Sequence, residues 1–490
     1  MQIRELLKPI YPDANDLHIS FSRLVLDSRK VQPNDLFIAT KGTNQDGCAY
    51  IDEAIMKGAV GVLYDAQNEN DLIWQKDIPL IPIKHLSQKL ASFASHFYDY
   101  PAKKMYMIGV TGTNGKTSCT HFLGQFMQRL NYPCGVIGTL GYGFLQALKD
   151  TGYTTPDAIA LQEILAKLHI EGAKGIAMEV SSHSIDQGRV NDIPFDCSIF
   201  TNLSPDHLDY HGDMATYAAV KYRFLEASPQ KKLVINAEDL YGSHWLQTLS
   251  HQELYAYSTE PVTHLTMPCT YTKTFSVGLN GITAFIVSPW GEGEVTIPLT
   301  GRFNLSNVLA AITALCLHGF SFQSIIQQIP SLHPVPGRMQ TFGGQGKPVV
   351  IVDYSHSPDA LLKALQTLRE QISGQLICIF GCGGDRDKTK RPLMAQIAES
   401  YADQIIITND NPRTEDPNQI VQDIMAGFGH PERVRIVLDR AKAIAQGIQS
   451  ASTSDCILVA GKGAEKYQEI GTQKIPFDDA AIVRLCLSQA

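Results

Sequence analysis

The sequence has no segment that resembles a membrane anchor. No run approaches the ~20 consecutive apolar residues that a membrane-spanning helix needs. The N-terminal stretch, MQIRELLKPIYPD, also lacks the continuous apolar segment of a signal peptide. We therefore expect a soluble, cytoplasmic protein without membrane insertion.

A basic excess and a paired-cysteine pattern are also missing. The formal net charge is -8, which gives no basic surface for neutralising nucleic-acid phosphates. The ten cysteines contain no CxxC pair, and the closest two, Cys378 and Cys382, flank an apolar strand end. We expect a reduced, intracellular protein that has no nucleic-acid partner.

The chain has 490 residues, which is more than one domain usually contains, since single domains have ~50–250 residues. Short β-rich runs at the start predict a small α/β domain, and strand–helix alternation from Met105 onward predicts a parallel sheet. Two prolines and a glycine in HPVPGRM, at 333–339, mark a further boundary. We predict an α/β protein with three domains, at residues 1–87, 88–335 and 336–490.

The stretch MYMIGVTGTNGKTS, at 105–118, places a glycine-rich turn between a predicted strand and an amphipathic helix. The strict P-loop pattern would have glycine where this chain has Val110. Backbone N–H groups of such a turn can nevertheless face phosphate oxygens, with the helix dipole adding attraction, whereas a plain βα turn needs no such residues. Lys116 would neutralise the β- and γ-phosphates and Thr117 would bind Mg²⁺. The predicted nucleotide loop is Gly112, Thr113, Asn114, Gly115, Lys116, Thr117 and Ser118.

GTNGKT, with its offset glycine, resembles the ATP loop of the Mur ligases and of their folylpolyglutamate synthetase relatives. These enzymes phosphorylate a carboxylate with ATP and then join an amine to it. The resemblance implies a central P-loop-type ATPase domain, a small N-terminal UDP-binding domain and a Rossmann-like C-terminal domain that binds the amino acid. It also implies the use of ATP and Mg²⁺, and we expect a monomer.

Three further residues match the metal and catalytic residues of this family. Glu179 ends a predicted strand, where open α/β sheets carry ligands, although a solvated strand-end glutamate would look the same. By resemblance, His207 in TNLSPDHLDYHG is a second metal-site residue, while His211 reads as structural. Lys221, alone an ordinary surface lysine, matches a carbamylated lysine that binds Mg²⁺. The implied catalytic residues are Lys116, Glu179, His207 and Lys221, and the implied metal ligands are Thr117, Glu179, His207 and carbamylated Lys221.

GRFNLSN, at 301–307, opens a predicted helix with two asparagines one turn apart. Helix capping could explain one of them. The resemblance assigns both to the nucleotide, together with residues of PGRM and DYSHSPDAL. The implied additional ATP contacts are Asn304, Asn307, Arg338, Asp353 and His356.

The stretch LDSRKVQPNDLFIATKGTNQDG, at 26–47, resembles the UDP pocket of Mur ligases that add the third peptide residue to the cell-wall precursor. The implied first substrate is UDP-N-acetylmuramoyl-L-alanyl-D-glutamate. Its implied contacts are Leu26, Ser28, Thr43, Asn44, Gln45, Tyr153, Thr154, Thr155, Ser181, Gln187 and Arg189.

DNPR, in TNDNPRTEDP at 408–417, resembles the selectivity motif of the family members that add meso-2,6-diaminopimelate. Lysine-adding members generally lack its arginine. An Asn-Pro turn alone would explain Asn411 and Pro412, but it would give Arg413 no structural role. The implied amino-acid contacts are Arg386, Asp410, Asn411, Pro412, Arg413, Gly461 and Glu465.

Three alternatives remain open at the level of sequence. A lysine-adding Mur ligase would share most motifs, and a folylpolyglutamate synthetase would share the loop without needing the N-terminal domain. A P-loop regulatory ATPase would bind nucleotide without making a bond. Release of ADP separates the last class, because a ligase should release ADP only when its other substrates are present.

Overall fold

The computed structural model describes residues 1–8, 17–41, 46–66, 72–227, 232–250, 253–262, 265–278 and 281–489. Its strands are β1 (Arg23–Val25), β2 (Asp35–Ala39), β3 (Gly61–Ala66), β4 (Ile73–Gln75), β5 (Ile78–Lys84), β6 (Tyr106–Thr111), β7 (Cys134–Gly138), β8 (Gly141–Gly143), β9 (Gly175–Glu179), β10 (Cys197–Phe200), β11 (Lys232–Asn236), β12 (Leu254–Ser258), β13 (Cys269–Gly278), β14 (Gly281–Ser288), β15 (Gly291–Ile297), β16 (Gln340–Phe342), β17 (Val349–Asp353), β18 (Leu376–Phe380), β19 (Gln404–Ile407), β20 (Val434–Ile436), β21 (Cys456–Ala460), β22 (Tyr467–Ile470) and β23 (Gln473–Pro476).

The α-helices are α1 (Ile3–Leu7), α2 (Ile51–Met56), α3 (Leu86–Phe97), α4 (Lys116–Arg129), α5 (Ala158–Ile170), α6 (Ser182–Asp186), α7 (Leu208–His211), α8 (Met214–Glu226), α9 (Leu240–Thr248), α10 (Arg302–His318), α11 (Phe322–Ile326), α12 (Pro358–Arg369), α13 (Lys390–Tyr401), α14 (Pro417–Met425), α15 (Arg440–Ser450) and α16 (Asp479–Gln489). Short 3-10 helices lie at Ser28–Lys30, Gly47–Tyr50, Pro101–Lys104, Ile329–Ser331 and Pro431–Arg433. Every helix in the described ranges falls short of the length and apolar character that a bilayer crossing requires.

The chain separates into two compact units. One contains Met1–Thr111 and Asn131–Ser198, and the other contains Gly112–Leu130 and Ile199–Ala490.

The first unit begins with a five-stranded sheet in the order β1-β2-β3-β5-β4. All pairs are parallel except the edge pair of β4 and β5. All five residues of β2 are buried, as expected for a parallel strand covered on both faces. Helix α3 packs its apolar residues against one face of this sheet and α2 packs against the other.

Strands β6, β9, β7 and β8 are neighbours in the same unit, in that order, and β6, β9 and β7 run parallel. Val110, which occupies the glycine position of the strict P-loop pattern, is fully buried in β6. Its register partner is Glu179 at the end of β9. The irregularity of the loop motif therefore lies within a strand, and Glu179 lies at the carboxyl edge of the sheet as predicted.

The described residues of the second unit form two larger groups of strands and one two-stranded hairpin. In one, parallel strands β11, β12 and β13 continue into the antiparallel strands β14 and β15. The other has the order β16-β17-β21-β18-β19-β20, with only β16 antiparallel among these pairs. Helices α12, α13 and α14 cover one face of this doubly wound sheet, and α15 and α16 cover the other. The hairpin β22–β23 follows β21.

Predicted elements and observed elements agree closely where the sequence has continuous apolar runs. The continuous apolar runs at 349–353, 376–380 and 456–460 form β17, β18 and β21. Helix α3 crosses the predicted boundary at residue 87, and its buried side chains belong to the N-terminal core. A boundary beyond Phe97 fits that packing better, and the three domain limits stay predictions.

Candidate active site

Two glycines shape the loop between β6 and α4. Gly112 has a φ of 147° and Gly115 a φ of 89°, a region that side chains disfavour. A Cβ added to Gly112 would overlap the hydroxyl of Thr201, and one added to Gly115 would lie 2.5 Å from Oδ1 of Asn307. Both backbone conformation and close approach therefore require glycine at these positions.

The middle of this loop is fixed by hydrogen bonds. The Thr113 N–H donates to the carbonyl oxygen of Asn202 over 2.8 Å, and the Asn114 N–H donates to Asn202 Oδ1 over 2.9 Å. The Asn114 side-chain amide donates to Asp359 Oδ2 over 3.0 Å. Two backbone N–H groups of the predicted phosphate-binding turn are therefore used within the protein. The N–H groups of the first turn of α4 lack intrahelical acceptors, as at any helix N-terminus.

Two lysines meet at one carbonyl group of the loop. Nζ of Lys116 donates to the oxygens of Gly112, at 2.9 Å, and Thr113, at 2.7 Å. Nζ of Lys221, on α8, donates to the same Gly112 oxygen over 3.0 Å. Lys221 is only 1% exposed. Burial, and secondarily the charge of Lys116, hold its pKa well below the ordinary 10.5. This favours the neutral amine at Lys221.

Asp206 is an acidic residue at this site that the sequence analysis did not select. Burial opposes its charged form, but His207, His356, Lys390 and Lys116 together lower its pKa. The Nε2 atom of His207 lies 3.5 Å from Asp206 Oδ2, and the His207 side chain is 43% exposed. The structure thus brings the predicted His207 to the neighbourhood of Lys116, through Asp206.

His211 has a structural environment, as the simpler interpretation predicted. It is buried, and its ring stacks on Tyr217 with centroids 5.1 Å apart. The Tyr217 hydroxyl lies 3.2 Å from the Thr113 hydroxyl, and its ring centroid lies 4.8 Å from Nζ of Lys221. Tyr217 therefore supports both the loop and the buried lysine.

Glu179, in the other compact unit, is also buried. Its Oε1 accepts the Thr139 N–H over 2.8 Å and its Oε2 accepts the Thr139 hydroxyl over 3.2 Å. That hydroxyl lies 3.1 Å from the hydroxyl of Thr154. A Cβ on Gly138 would overlap the Glu179 carboxylate. The carboxylate is thus held in a defined orientation beside a predicted substrate-binding threonine.

The predicted dipeptide contacts surround this glutamate. The Thr155 hydroxyl donates to the Glu179 carbonyl over 2.8 Å, and Arg189 Nη1 donates to the Thr155 carbonyl over 2.8 Å. Arg189 Nε donates to Gln187 Oε1 over 2.9 Å, and the guanidinium carbon lies 5.8 Å from the ring centroid of Tyr153. Ser181 caps α6 by accepting the Ser184 N–H and donates its N–H to Thr155 over 3.3 Å. The structure brings Tyr153, Thr154, Thr155, Ser181, Gln187 and Arg189 together with Glu179.

The structure describes two of the five predicted UDP contacts, Leu26 and Ser28. Leu26 is half-buried, and the buried Ser28 hydroxyl donates to Glu53 Oε2 over 2.6 Å. Lys57 links Ser28 to Glu53, because its Nζ donates to the Ser28 carbonyl over 3.2 Å and to Glu53 Oε1 over 2.7 Å. The residues 43–45 lie outside the described residues.

The predicted nucleotide-facing asparagines lie on the first turns of α10, and both are buried. Asn304 donates through Nδ2 to the Thr300 carbonyl over 2.8 Å. Its Oδ1 is buried and accepts no hydrogen bond from the described part of the chain. A cavity of about 140 Å³ adjoins it, lined in part by Ser118, Phe122, Arg338 and Met339. Asn304 therefore lines a cavity that adjoins the first turn of α4.

Arg338 joins this cavity to the loop. Its Nη2 donates to the Thr117 hydroxyl over 3.2 Å, and its guanidinium carbon lies 4.2 Å from the ring centroid of Tyr354. The predicted ATP contacts Thr117 and Arg338 are therefore in direct contact.

Asp353 and His356 both contact backbone groups of the protein itself. Asp353 accepts the N–H of Met339 over 2.6 Å and that of Ser355 over 3.0 Å. Nδ1 of His356 lies 2.8 Å from the Tyr354 carbonyl oxygen. Burial and the charge of Lys390 lower the pKa of His356, so its neutral form is favoured.

The DNPR segment forms a polar cluster with β22. Arg413 Nε donates to Glu469 Oε2 over 2.9 Å, and Nη1 donates to the Gly384 carbonyl over 2.7 Å. The inference that Arg413 has no structural task is therefore wrong. Asn411 Nδ2 donates to Glu465 Oε2 over 2.9 Å, so the structure brings these predicted residues together.

Asp410 and Gly461 also meet in this cluster. Asp410 is buried, and its Oδ2 has no hydrogen-bond partner among the described residues. A Cβ on Gly461 would overlap that oxygen. Arg386 is exposed, and its Nη1 donates to the Asp385 carbonyl over 3.2 Å. Arg386 therefore has no carboxylate partner of its own within the described ranges.

Sequence reasoning missed Asp206, Asp359, Lys462 and Glu469. Asp359 accepts the Asn114 amide across 245 residues of sequence, and such proximity leaves no local pattern. Lys462 lies in AGKGAEKYQ, a stretch from which Gly461 and Glu465 were selected, so the motif itself was a usable signal. No sequence signal marks Glu469, because its role follows from its ion pair with Arg413.

Three family models match the chain. They are described as the Mur ligase family catalytic domain, at residues 20–98, the Mur ligase middle domain, at 110–315, and the Mur ligase glutamate ligase domain, at 337–463.

Curated relatives match over nearly the whole chain. The UDP-N-acetylmuramoyl-L-alanyl-D-glutamate--2,6-diaminopimelate ligase of Coxiella burnetii is 49% identical over 457 residues, which is 93% of each chain. The protein of the same name from Pseudomonas aeruginosa is 46% identical over 474 residues, or 96% of each chain.

Solved structures agree with these matches. A UDP-N-acetylmuramoyl-L-alanyl-D-glutamate--2,6-diaminopimelate ligase superposes with a TM-score of 0.70 at 34% identity, covering 100% of this chain and 99% of that one. A Mycobacterium tuberculosis folylpolyglutamate synthase has a TM-score of 0.63 at 17% identity and covers 76% of this chain and 91% of that one. The latter likeness shows a shared fold.

Proposed function

Because this chain belongs to the Mur ligase family, we propose that it joins meso-2,6-diaminopimelate to the D-glutamyl residue of UDP-N-acetylmuramoyl-L-alanyl-D-glutamate. The reaction forms an amide bond and converts ATP to ADP and phosphate. It would take place in the cytoplasm as a step of peptidoglycan precursor synthesis. The architecture is the three-domain α/β architecture of the Mur ligases.

The observation that carries the substrate assignment is the polar cluster of Arg413, Asn411 and Glu465. The Arg413 guanidinium uses Nε and Nη1 within the protein, and its Nη2 can donate to the distal carboxylate of diaminopimelate, a group that lysine lacks. Glu465, held by Asn411, offers a carboxylate to the neighbouring ammonium group. Arg386, Asp410, Pro412 and Gly461 are proposed to complete this site.

ATP is proposed to bind over the loop and the cavity beside Asn304. Lys116 would leave the carbonyl groups of Gly112 and Thr113 to contact the phosphates. Its charge would stabilise the phosphoryl group as the glutamyl γ-carboxylate attacks, giving an acyl phosphate. The amine then displaces phosphate. Ser118, Asn307, Arg338, Asp353 and His356 are the other proposed nucleotide contacts.

Mg²⁺ would supply charge neutralisation between phosphate oxygens. The proposed ligands are Thr117, Glu179, His207 and carbamylated Lys221. The surroundings of Lys221 fit a carbamate, because its lowered pKa favours the neutral amine that attacks CO₂. That reaction forms an N–C bond, releases one proton and leaves an anion at the loop.

Glu179 and the polar residues around it are proposed to hold the muramoyl dipeptide. The UDP group is proposed to lie at Leu26, Ser28, Thr43, Asn44 and Gln45. A folylpolyglutamate synthetase is the less favoured alternative, since the solved structure of that class covers 76% of this chain.

Phosphate release in the four combinations of UDP-dipeptide and diaminopimelate tests this proposal. We expect rapid release only when both substrates accompany ATP and Mg²⁺, and a large loss in Lys116→Ala. Losing such a stabilising group typically costs ~10²–10³ in rate. Equal release without the UDP-dipeptide would identify a regulatory ATPase instead.

A further inference from the structure

Lys462 is a buried lysine at the carboxyl end of β21. Its side chain is 0% exposed. The preceding Gly461 has a φ of 117°, and its close approach to Asp410 brings the chain under residues 410–413. The ammonium group therefore lies inside the polar cluster and not at the protein surface.

Two side chains of the proposed amino-acid site compensate this buried charge. Nζ of Lys462 donates to Asn411 Oδ1 over 2.8 Å and to Glu465 Oε2 over 2.7 Å. The ring centroid of Tyr467 lies 5.8 Å away. A buried ammonium group is tolerated only with such partners, so these three residues are ordered together.

Lys462 fixes the orientation of the Asn411 amide. Asn411 Oδ1 also accepts the N–H of Glu469 over 2.9 Å, so two donors point at this atom. Its Nδ2 must then face the opposite way, where it donates to Glu465 Oε2. An inverted amide would place N–H groups against both donors.

The same network directs one oxygen of Glu465 toward a ligand. Both hydrogen bonds to this carboxylate end on Oε2, whereas Oε1 receives none from the described residues. The side chain is 24% exposed. Oε1 is thus an open acceptor on a carboxylate whose other oxygen is fixed, which suits an ammonium group.

A complementary donor lies on Arg413, two residues beyond Asn411. The Arg413 guanidinium uses Nε and Nη1 within the protein, while Nη2 donates to no atom in the described ranges. Glu469 connects the two halves, since its N–H contacts Asn411 and its carboxylate contacts Arg413. An open acceptor and an open donor together match the charged ammonium and carboxylate of an amino acid.

We propose that Lys462 is a positioning residue that makes the site selective for the distal ammonium group of the amino-acid substrate. It acts by holding Oε2 of the Glu465 carboxylate and leaving Oε1 open to the ligand, while Arg413 binds the distal carboxylate. This inference rests on the proposed diaminopimelate ligase function.

The test compares meso-diaminopimelate with 2-aminopimelate, which keeps both carboxylates and the reacting amine but lacks the distal ammonium group. Wild type should show a lower KM for diaminopimelate. Lys462→Met should raise that KM by about 10- to 100-fold, the range for a lost hydrogen bond to a charged group. Its KM values for 2-aminopimelate and ATP should stay within about threefold, which is within ~0.7 kcal/mol.

Lys466→Met is the matched control, since Lys466 lies in the same segment with a side chain 68% exposed and pairs with Asp478. It should keep wild-type selectivity. If Lys462→Met keeps the wild-type preference for diaminopimelate over 2-aminopimelate, the inference is wrong. If wild type itself does not use diaminopimelate, the proposed function is wrong.

The double variant Lys462→Met/Glu465→Gln is tested in case Lys462→Met alone does not fold. The double variant removes both charges of the pair, so neither charge is left without its partner. Since Lys462 is proposed to act through Glu465, this double variant should have the same KM for diaminopimelate as Glu465→Gln alone. A further large rise in the double variant would overturn the proposed route.

Discussion

Lys221 and Lys116 donate hydrogen bonds to the same carbonyl oxygen, that of Gly112, over 3.0 and 2.9 Å. Two full positive charges converging on one acceptor would repel each other. The lowered pKa of Lys221 resolves this conflict by favouring its neutral amine. A neutral, buried amine beside a nucleotide loop is chemically prepared for carbamylation, and this is the basis of the first prediction.

Lys221→Ala should be nearly inactive, because it removes the anion that the carbamate would place at the loop. Added acetate or formate should restore part of the activity by supplying a carboxylate in the space left free. Activity is measured as ADP formation with increasing acetate, with chloride at the same ionic strength as the control. Full activity of the alanine variant, together with an unmodified amine in the wild-type mass spectrum, would exclude the carbamate.

His121 should make stability depend on acid pH. It is buried on α4, and burial followed by the charge of Arg338 lowers its pKa from 6.5 to about 4. The unfolded chain therefore binds a proton that the folded protein does not bind between these values. The part of the free energy of unfolding that depends on a neutral His121 is fully present above pH 6.5. It is lost as the pH falls toward 4, at up to ~1.4 kcal/mol per pH unit.

Urea unfolding of His121→Gln at several pH values from 7 to 4 measures this effect. The free energy of unfolding should fall less steeply with acid than in wild type. His430→Gln, at a site whose side chain is 61% exposed, is the control and should follow wild type. Identical slopes for His121→Gln and wild type would show that this histidine does not govern the acid response.

Asp359 should support nucleotide binding, although no ligand contact is proposed for it. Its Oδ2 accepts from Asn114 Nδ2, at 3.0 Å, and from the Ser204 hydroxyl, at 3.1 Å. Asp359→Ala removes both bonds, each contributing ~0.5–1.5 kcal/mol net, so the KM for ATP should rise by about 5- to 150-fold. The KM for diaminopimelate should change little.

Lys363→Met is the control for this variant. Lys363 donates to the same Asp359 oxygen over 2.9 Å but is 45% exposed, and such surface pairs contribute little. Its KM for ATP should stay close to the wild-type value. A similar rise in both variants would point to a general disturbance of α12 instead of a role in holding the loop.

Arg413→Ala should reduce selectivity for diaminopimelate. Truncating one partner of a buried charge pair costs ~2–5 kcal/mol, or roughly 30- to several-thousand-fold in affinity. The KM for diaminopimelate should rise strongly, its advantage over L-lysine should narrow, and the KM for ATP should stay within a few-fold. Because Arg413 also holds Glu469, the variant Glu469→Gln shows how much of the loss comes from that contact.

An unchanged preference for diaminopimelate in Arg413→Ala would move the selectivity determinant elsewhere. Arg386 is then the next residue to test. It is exposed, so Arg386→Ala should leave the fold intact.

Sequence patterns predicted the fold best where strands are buried on both faces. The runs VVIVD, LICIF and CILVA are continuous and apolar, so their limits coincide with β17, β18 and β21. No element was predicted over β13, β14 and β15, whose antiparallel strands mix buried and exposed residues. Such strands are defined by their partners more than by their own composition.

The candidate site was predicted in its motifs but not in its internal connections. The glycines of the nucleotide loop are visible in sequence because only a tight turn requires them. The contacts of Asp359 with Asn114 and of Glu469 with Arg413 join residues 245 and 56 positions apart. Only the folded chain brings these pairs together, so neither the partner of the Asn114 side-chain amide nor the structural task of Arg413 could be read from a local pattern.

Direct competition between amino-acid acceptors tests the central claim most directly. The enzyme is given ATP, Mg²⁺, UDP-N-acetylmuramoyl-L-alanyl-D-glutamate and equal concentrations of meso-diaminopimelate and L-lysine, and the product is identified by mass spectrometry. We predict a UDP-muramoyl-tripeptide that contains diaminopimelate, formed in equal amount to ADP. A product that contains lysine, or ADP formed without any tripeptide, would contradict the proposed function.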